Sequence, residues 1–182
     1  MGASSALIFG VLINVAILLV FFRFLMQLAA VSPYNPVVLS TAKATKIVDI
    51  FGRIFPTVGK GRVNLAALIL VVLLYFLKMW GEKHLSGIGT GSTIYFIVST
   101  IKEMLLSLVT LLKYMIFAFI ICSWIMMLSQ FRSPYIEVIQ ELVEPILAPF
   151  RKVMPNMGMI DLSPILAFLV LFVAETMLRA II

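Results

Sequence analysis

Four charged side chains fall inside apolar runs of this sequence, where an ionisable group is costly and is therefore a candidate for function. They are Arg23, Lys113, Glu175 and Arg179. At a rise of about 1.5 Å per residue, the last three are expected to share one depth in a membrane. They could line an ion path, or Glu175 could simply pair with Arg179 one helical turn away while Lys113 extends to the headgroups. For Arg23 we favour extension to nearby headgroups over an ion path.

A second set of charged residues surrounds a proline-rich turn that precedes the last apolar run. Its members are Glu144, Arg151, Lys152 and Asp161, and the prolines among them are Pro145, Pro149 and Pro155. Prolines restrict the backbone, so both signs of charge are held on a stiff turn. Such a turn suits docking of a partner protein or a lipid headgroup. The alternative is local: Asp161 caps or ion-pairs and fixes the angle of the preceding helix.

A third set consists of cations between the first two apolar runs, and its members are Lys43, Lys46, Arg53, Lys60 and Arg62. A basic amphipathic segment beside membrane spans favours contact with anionic lipid headgroups. Nucleic acid is the weaker interpretation, because the segment is short and amphipathic. We therefore predict lipid-headgroup binding here and no nucleic-acid partner.

Residue types that support catalysis or cofactor binding are sparse. His84 is the single histidine and Cys122 the single cysteine, so neither a zinc site, a bis-histidine haem site nor an internal disulfide is indicated. The carboxylates are scattered, and no nucleophile has a base nearby in the sequence. Gly87, Gly89 and Gly91 alternate without an adjoining strand, which argues against a dinucleotide site. We expect no enzyme, no metal and no cofactor.

The elements that carry these residues follow from composition. Of 182 residues, 63% are hydrophobic and 12% charged, against roughly 25% charged in soluble domains. This is the composition of an integral membrane protein. Four spans are predicted at about 6–31, 63–80, 104–129 and 163–182, with a polar loop from Gly81 to Thr93. Residues 94–100 could be interfacial, re-entrant or part of span three.

An internal repeat organises the chain. Ser32-Pro33-Tyr34 recurs as Ser133-Pro134-Tyr135, and the Pro56–Gly59 turn recurs at Pro155–Gly158. The predicted fold is an all-α membrane protein of two parallel repeats, residues 1–93 and 94–182, each with two spans and a cytoplasmic amphipathic helix. The lysine and arginine bias of the loops places both repeat loops in the cytoplasm and both termini outside.

Apolar spacing predicts the two surface helices. The second has apolar residues three and four positions apart, at Ile136, Ile139, Val143, Ile146, Leu147 and Phe150. Polar residues take its other face, at Glu137, Gln140, Glu141 and Glu144. Its prolines are expected to kink or segment it. The apolar stripe of the first consists of Ile47, Ile50, Phe51 and Ile54.

Helix starts are predicted wherever a hydroxyl or amide side chain precedes the first turn, because such a side chain can accept a bond from an unsatisfied N–H group. Three serine–proline pairs fit this pattern, at Ser32-Pro33, Ser133-Pro134 and Ser163-Pro164. Asn64 is predicted to cap span two in the same way.

The second copy resembles the YggT (YlmG) family of small bacterial inner-membrane proteins, which has plastid relatives. The resemblance rests on Glu-Pro-Ile-Leu-Ala-Pro-Phe-Arg-Lys at Glu144–Lys152 and on Pro-Asn-Met-Gly-Met-Ile-Asp-Leu-Ser-Pro at Pro155–Pro164. Two copies are typical of proteobacterial members. The first copy departs from the motif, with Lys43-Ala44 for the Glu-Pro pair and Arg62-Val63-Asn64 for Asp161-Leu162-Ser163.

The resemblance implies a non-enzymatic, multi-pass protein of the bacterial inner membrane that acts in osmotic-stress or ion homeostasis. It also admits an assembly or scaffolding factor for membrane complexes such as those of cell division or cytochrome maturation. An oligomeric channel or transporter is a third function to consider, although few polar groups lie at the expected midplane. The implied partners are the bilayer with its anionic headgroups, a further membrane protein and other copies of the chain.

Overall fold

A computed structural model describes residues 2–87, 92–129, 133–153 and 161–180. In these ranges the chain forms seven helices: α1 Gly2–Leu28, α2 Pro36–Ala44, α3 Ile47–Gly52, α4 Leu65–Leu85, α5 Thr93–Ser129, α6 Pro134–Val153 and α7 Ser163–Ala180. Two short strands, β1 Thr57–Val58 and β2 Val63–Asn64, pair antiparallel. Four helices, α1, α4, α5 and α7, are long and apolar enough to cross a membrane. The predicted class, a helical membrane protein with four spans, is confirmed.

The spans differ from the predicted bounds mainly around the second loop. Helix α4 continues to Leu85, so the loop predicted from Gly81 is wrong in its first part. Gly81 lets α1 pack closely on this last part of α4, because a Cβ there would collide with the ring of Phe9 on α1. Helix α5 begins at Thr93, so residues 94–100 are continuous with span three. Residues 181–182 of predicted span four, and Gly89 and Gly91 of the loop, lie outside the described residues.

One compact unit comprises Met1–Leu28 and Ser40–Met104. Helix α1 packs along α4, and α3 packs on α4. Successive turns of the two spans supply the core, which includes Val20, Leu25, Met26, Ala66, Ala67 and Val71. The strand pair between α3 and α4 was missed by the prediction of a proline–glycine turn. Its Gly59, Lys60 and Gly61 adopt positive φ values of 64°, 58° and 82°, which two glycines make inexpensive.

The other unit comprises Ala29–Leu39 and Leu105–Ile182, and in it α6 packs against α7. Helix α6 buries Ile136, Val138, Leu142, Val143 and Leu147. One helix runs through Pro145 and Pro149, so of the two predicted outcomes segmentation is wrong and a kink stays a prediction. Both prolines are exposed, so the carbonyls that lose a backbone donor face outward rather than into the packed side.

A polar segment of the same unit is fastened to the start of α6. The Asn35 side-chain amide donates to the Pro134 carbonyl at 3.0 Å, and the Ser32 N–H donates to Glu141 Oε2 at 3.0 Å. These contacts hold the chain that follows α1 against the N-terminal half of α6.

Helix starts agree with prediction at two of the four positions. Asn64 accepts from the Ala67 N–H at 2.9 Å, and Ser133 precedes α6, its hydroxyl 3.4 Å from the Tyr135 N–H. The cap predicted at Ser32 is wrong, because α2 begins after Asn35, which accepts from the Val37 N–H. Helix α7 starts at Ser163 itself, one residue before the predicted first position at Pro164. Asp161 Oδ1 accepts from the Ser163 N–H in place of the predicted serine cap. Residues 154–160, including Pro155 and Gly158 of the predicted turn, lie outside the described part.

Candidate functional sites: three charge clusters

The Arg151 cluster, defined as Glu144, Arg151 and Asp161, joins the end of α6 to the start of α7. Arg151 Nη1 donates to both Glu144 oxygens, at 2.5 and 2.6 Å, and Nε donates to Asp161 Oδ2 at 2.9 Å. Asp161 Oδ1 accepts from the Ser163 N–H at 2.9 Å. Arg151 and Glu144 lie two turns apart on α6, and the last turn of that helix favours a cation. One guanidinium therefore fixes two carboxylates at the helix junction.

Hydrogen bonds and ion pairs together change the pKa values of Asp161 and Arg151 more than partial burial does. Burial alone would raise the pKa of Asp161, but bonds from Ser163 and Arg151 hold that pKa below its usual range. Burial likewise opposes the charge of Arg151, yet Glu144 and Asp161 raise its pKa above the ordinary value. Both groups are charged near neutral pH.

Three of the four predicted docking residues are thus brought together, and the fourth is not. Lys152 is exposed and takes no part in an ion pair within the described residues. The cluster itself is half-exposed, with side-chain exposures of 55% for Glu144 and 40% for Asp161. The local role considered for Asp161, capping with ion pairing, is present in the structure. The rest of the surface of the Arg151 cluster is exposed.

The Arg23 cluster, defined as Arg23, Ala42, Thr45 and Asp49, joins α1 to the α2–α3 corner. Arg23 Nη1 donates to the carbonyls of Ala42 and Thr45 at 3.3 and 2.9 Å and to the Thr45 hydroxyl at 3.1 Å. Its Nη2 ion-pairs with Asp49. The structure therefore directs Arg23 to protein acceptors rather than to headgroups. The Ala42 carbonyl belongs to the last turn of α2, where carbonyls lack an intrahelical donor, whereas the Thr45 carbonyl follows that helix and also accepts from the Val48 N–H.

The five predicted headgroup ligands, Lys43, Lys46, Arg53, Lys60 and Arg62, are all exposed. A break at Thr45–Lys46 separates α2 from α3, so the first apolar stripe lies on α3 and the turn after it, and most of the stripe is exposed. Ile47, Ile50 and Ile54 are 50%, 61% and 71% exposed. Lys60 stands at the tip of the strand pair, whose Gly61 carbonyl accepts from Gln27 Nε2 at 2.8 Å. Exposed isoleucines and lysines on one surface fit the boundary between hydrocarbon and headgroups.

The Glu175 cluster, defined as Lys113, Glu175 and Arg179, lies between α5 and α7. Glu175 Oε1 accepts from Arg179 at 2.7 and 3.1 Å, and Oε2 ion-pairs with Lys113. Lys113 also lies over the rings of Phe168 and Phe172, 5.7 and 5.6 Å from their centroids. Lys113 is thus held by protein, contrary to its predicted extension to headgroups. Glu175 is 9% exposed, so this is a compensated buried charge.

Several polar residues that shape these sites were missed. Asp49 is the main one, and a signal was available, since it is the single acidic residue before Glu82. Gln27 was also missed; it accepts from Asn64 and donates to the Gly61 carbonyl, so it ties the strand pair to the cap of α4. His84, predicted as a solvated loop residue, instead lies in the last turn of α4, and its ring stacks on that of Trp80 at a centroid distance of 5.2 Å. In the described ranges no three His, Cys, Asp or Glu side chains group as metal ligands.

Comparison with known proteins places these clusters in a family. The CCB3/YggT family model matches residues 97–182, which include the Arg151 and Glu175 clusters. An uncharacterized Pseudomonas aeruginosa protein is 34% identical over 94% of this chain and 86% of its own. A Haemophilus influenzae protein is 31% identical over 97% and 92%, and Escherichia coli K12 YggT, also uncharacterized, is 32% identical over 83% and 76%. No solved structure matches. The chain belongs to the CCB3/YggT family.

Proposed function

We propose that this chain is a non-enzymatic inner-membrane protein that acts in osmotic-stress or ion homeostasis by holding a partner protein against α6. The observation that carries the proposal is the division of α6 into two faces. One face is buried, and the other exposes Glu137, Glu141 and Glu144 beside the Arg151 cluster. A charged, exposed helix face can select a partner protein by complementary charge.

The sign of the charge favours a protein over a lipid surface. Acidic side chains are repelled by an anionic leaflet, whereas each lysine or arginine near it contributes about 1 kcal/mol. The exposed face of α6 carries three carboxylates, Glu137, Glu141 and Glu144, against the single exposed Lys152, because Arg151 is already taken up by Glu144 and Asp161. A basic juxtamembrane segment of another membrane protein has the complementary chemistry.

The basic segment of the first unit supports a second part of the proposal, a lipid anchor. Lys43, Lys46, Arg53, Lys60 and Arg62 are exposed, and uncovered isoleucines lie among them. In this proposal the first motif copy attaches the surface helices to anionic headgroups and the second docks the partner. The basic segment then faces the cytoplasm and both termini face the periplasm.

Orientation is tested by cysteine labelling in a Cys122→Ser background. Ser86→Cys is expected to react with an impermeant reagent added from the periplasm, whereas Lys43→Cys and Arg151→Cys stay protected until the membrane is opened. The reverse pattern would contradict the orientation and the cytoplasmic docking surface.

The docking role is tested by photo-crosslinking in cells together with complementation of a deletion strain under osmotic stress. A crosslinker at Glu137 is expected to capture a discrete membrane protein, and the same crosslinker at Lys46 is the control. Arg151→Glu should abolish both the crosslink and stress protection while the protein still inserts. A stable, inserted Arg151→Glu protein that protects fully would show the cluster to be structural.

The same α6 face also favours the second candidate function, an assembly or scaffolding factor. The two are separated by what is captured. A subunit of a division or cytochrome complex would support assembly, and an ion-transport protein would support homeostasis. A crosslink to a second copy of this chain would instead support a homo-oligomer, including the channel considered above.

A further inference from the structure

A groove of about 510 Å³ lies on the first unit between α1 and the C-terminal half of α4. Its α4 wall carries Glu82 and Ser86, and its α1 wall carries Gly10 and Asn14 with the apolar Leu7 and Val11. Three polar side chains therefore line a groove on helices that otherwise present hydrocarbon to their surroundings. None of the three belongs to the clusters described above.

Gly10 is the residue that lets the Glu82 carboxylate enter this groove. A Cβ on Gly10 would lie 2.5 Å from Glu82 Oε1, so the carboxylate packs on the bare backbone of α1. An alanine at this position would displace it. Depth along α4 is also informative, because Glu82 lies about 27 Å from the Asn64 cap at 1.5 Å per residue. With a hydrocarbon core about 30 Å thick, that is the boundary of the leaflet at the far end of α4.

The carboxylate is not neutralised by neighbouring cations. Lys83, the next residue, points to the rings of Tyr95 and Phe96, 5.5 and 5.3 Å from their centroids. Lys78, one turn away, forms no ion pair with Glu82 in the described part of the chain. A carboxylate at a membrane boundary without a cation is costly, so an external cationic group is the complement that the groove lacks.

We propose that this groove binds a phospholipid whose headgroup carries a primary ammonium. The ammonium donates to the Glu82 carboxylate and the Ser86 hydroxyl, while the deeper Asn14 amide donates to an ester carbonyl of the glycerol backbone. One acyl chain then continues deeper along α1 over Val15 and Leu18, which are 53% and 50% exposed. A free cation would use the polar end of the groove alone, and a headgroup with phosphate but no cation would be repelled by Glu82.

Native mass spectrometry of the full chain in mild detergent tests the proposal. The probes are phosphatidylethanolamine, phosphatidylcholine and phosphatidylglycerol with identical acyl chains. The wild type is expected to retain phosphatidylethanolamine preferentially, because phosphatidylcholine has no N–H donor and phosphatidylglycerol has no cation. Glu82→Gln should lower that retention about tenfold, the equivalent of one charge-assisted hydrogen bond. Excess soluble ethanolamine should not displace the lipid, whereas displacement would indicate a free-cation site.

Two further variants keep the result interpretable if folding is disturbed. Glu103→Gln makes the same chemical change at an exposed carboxylate outside the groove and should retain the lipid as the wild type does. Gly10→Ala keeps the carboxylate but displaces it, and should lose the preference for phosphatidylethanolamine while keeping the unfolding midpoint near that of the wild type. Equal retention of all three lipids, or unchanged preference in both groove variants, would overturn the proposal.

Discussion

Two arginines, Arg23 and Arg151, organise the segments beside the membrane spans, and they do so with different acceptors. Arg23 donates to two backbone carbonyls and a hydroxyl before it reaches Asp49. Among the described residues, Arg151 donates to carboxylates alone. Their burial differs too, with side-chain exposures of 16% and 35%. The first arginine completes a helix end, and the second balances charge.

The surfaces around these two arginines also carry opposite charge. Asp49 is a single carboxylate among five exposed cations, so the surface around the Arg23 cluster stays basic. Arg151 lies between two carboxylates, with Glu137 and Glu141 further along the exposed face of α6, so that surface is acidic. The residues that cap α4 and α7 also differ in charge. Asn64 starts α4 with a neutral amide, whereas Asp161 starts α7 with a charge.

The more buried a cluster is, the more its loss should lower the free energy of unfolding. Of the three clusters, the Glu175 cluster holds the most buried ion pair, so the largest loss is expected there. Breaking a buried ion pair costs about 3–5 kcal/mol, so Glu175→Gln is expected to lower the free energy of unfolding by that order. Lys113→Met combined with Glu175→Leu should recover most of the loss, because an apolar pair replaces an isolated charge. Chemical unfolding in mixed micelles measures both. The singles Lys113→Met and Glu175→Leu complete the cycle. If their losses of unfolding free energy add up to the loss in the double variant, Lys113 and Glu175 do not interact directly.

Arg23 comes next in the ranking. Arg23→Met removes the donor for two carbonyls and leaves Asp49 without its partner, and is expected to cost about 2–3 kcal/mol. Arg23→Lys should recover only part, since a lysine lacks the planar fork that serves several acceptors at once. Arg53→Met, an exposed arginine of the same segment, is the matched control and should change stability by under about 0.5 kcal/mol. Equal losses at Arg23 and Arg53 would remove the distinction between the two arginines.

Sequence alone was sufficient for the four spans, because a long apolar run is stabilised by lipid and needs no particular partner. It also placed Lys113 and Glu175 at one depth, since helical rise is regular. Contacts between segments far apart in the chain could not be predicted from the sequence. Asp49 and Gln27 act through partners far along the chain, and nothing in their local pattern specifies which acceptor they meet.

Local signals also failed where two of them compete. A start was predicted at Ser32-Pro33, but the helix begins after Asn35, whose Pro36 neighbour forms a similar pair that the prediction left out. The prediction that prolines segment α6 failed for a different reason. The cost of a missing donor depends on whether the orphaned carbonyl is buried, and the exposed positions of Pro145 and Pro149 make that cost small.

The contrast in surface charge is tested by lipid binding. Lys43→Gln with Lys46→Gln should weaken partition onto vesicles containing phosphatidylglycerol by about 1 kcal/mol per residue, with little effect on vesicles of phosphatidylcholine alone. The probe is a soluble peptide of residues 40–62, because the intact chain is already held by its spans. Raising the salt concentration should remove the difference. If Lys152→Gln in a peptide of residues 134–153 weakens partition equally, the basic surface is not distinctive.

The smallest effect is expected at Asp161, where exposure screens the ion pair. Asp161→Asn keeps an acceptor for the Ser163 N–H but loses the charge that meets Arg151, and should cost under about 1 kcal/mol at neutral pH. Because the folded-state pKa of Asp161 is lowered, its contribution is complete above the unfolded-state value near 3.9 and is lost as pH falls through the folded-state pKa. The unfolding midpoints of wild type and Asp161→Asn should therefore converge in acid and stay separated at pH 7. A matched Lys152→Gln protein should show no such convergence. If the difference between the two unfolding midpoints is independent of pH, the loss comes from the geometry of the cap and not from its charge. The charged cap at Asp161 would then be equivalent to the neutral cap at Asn64.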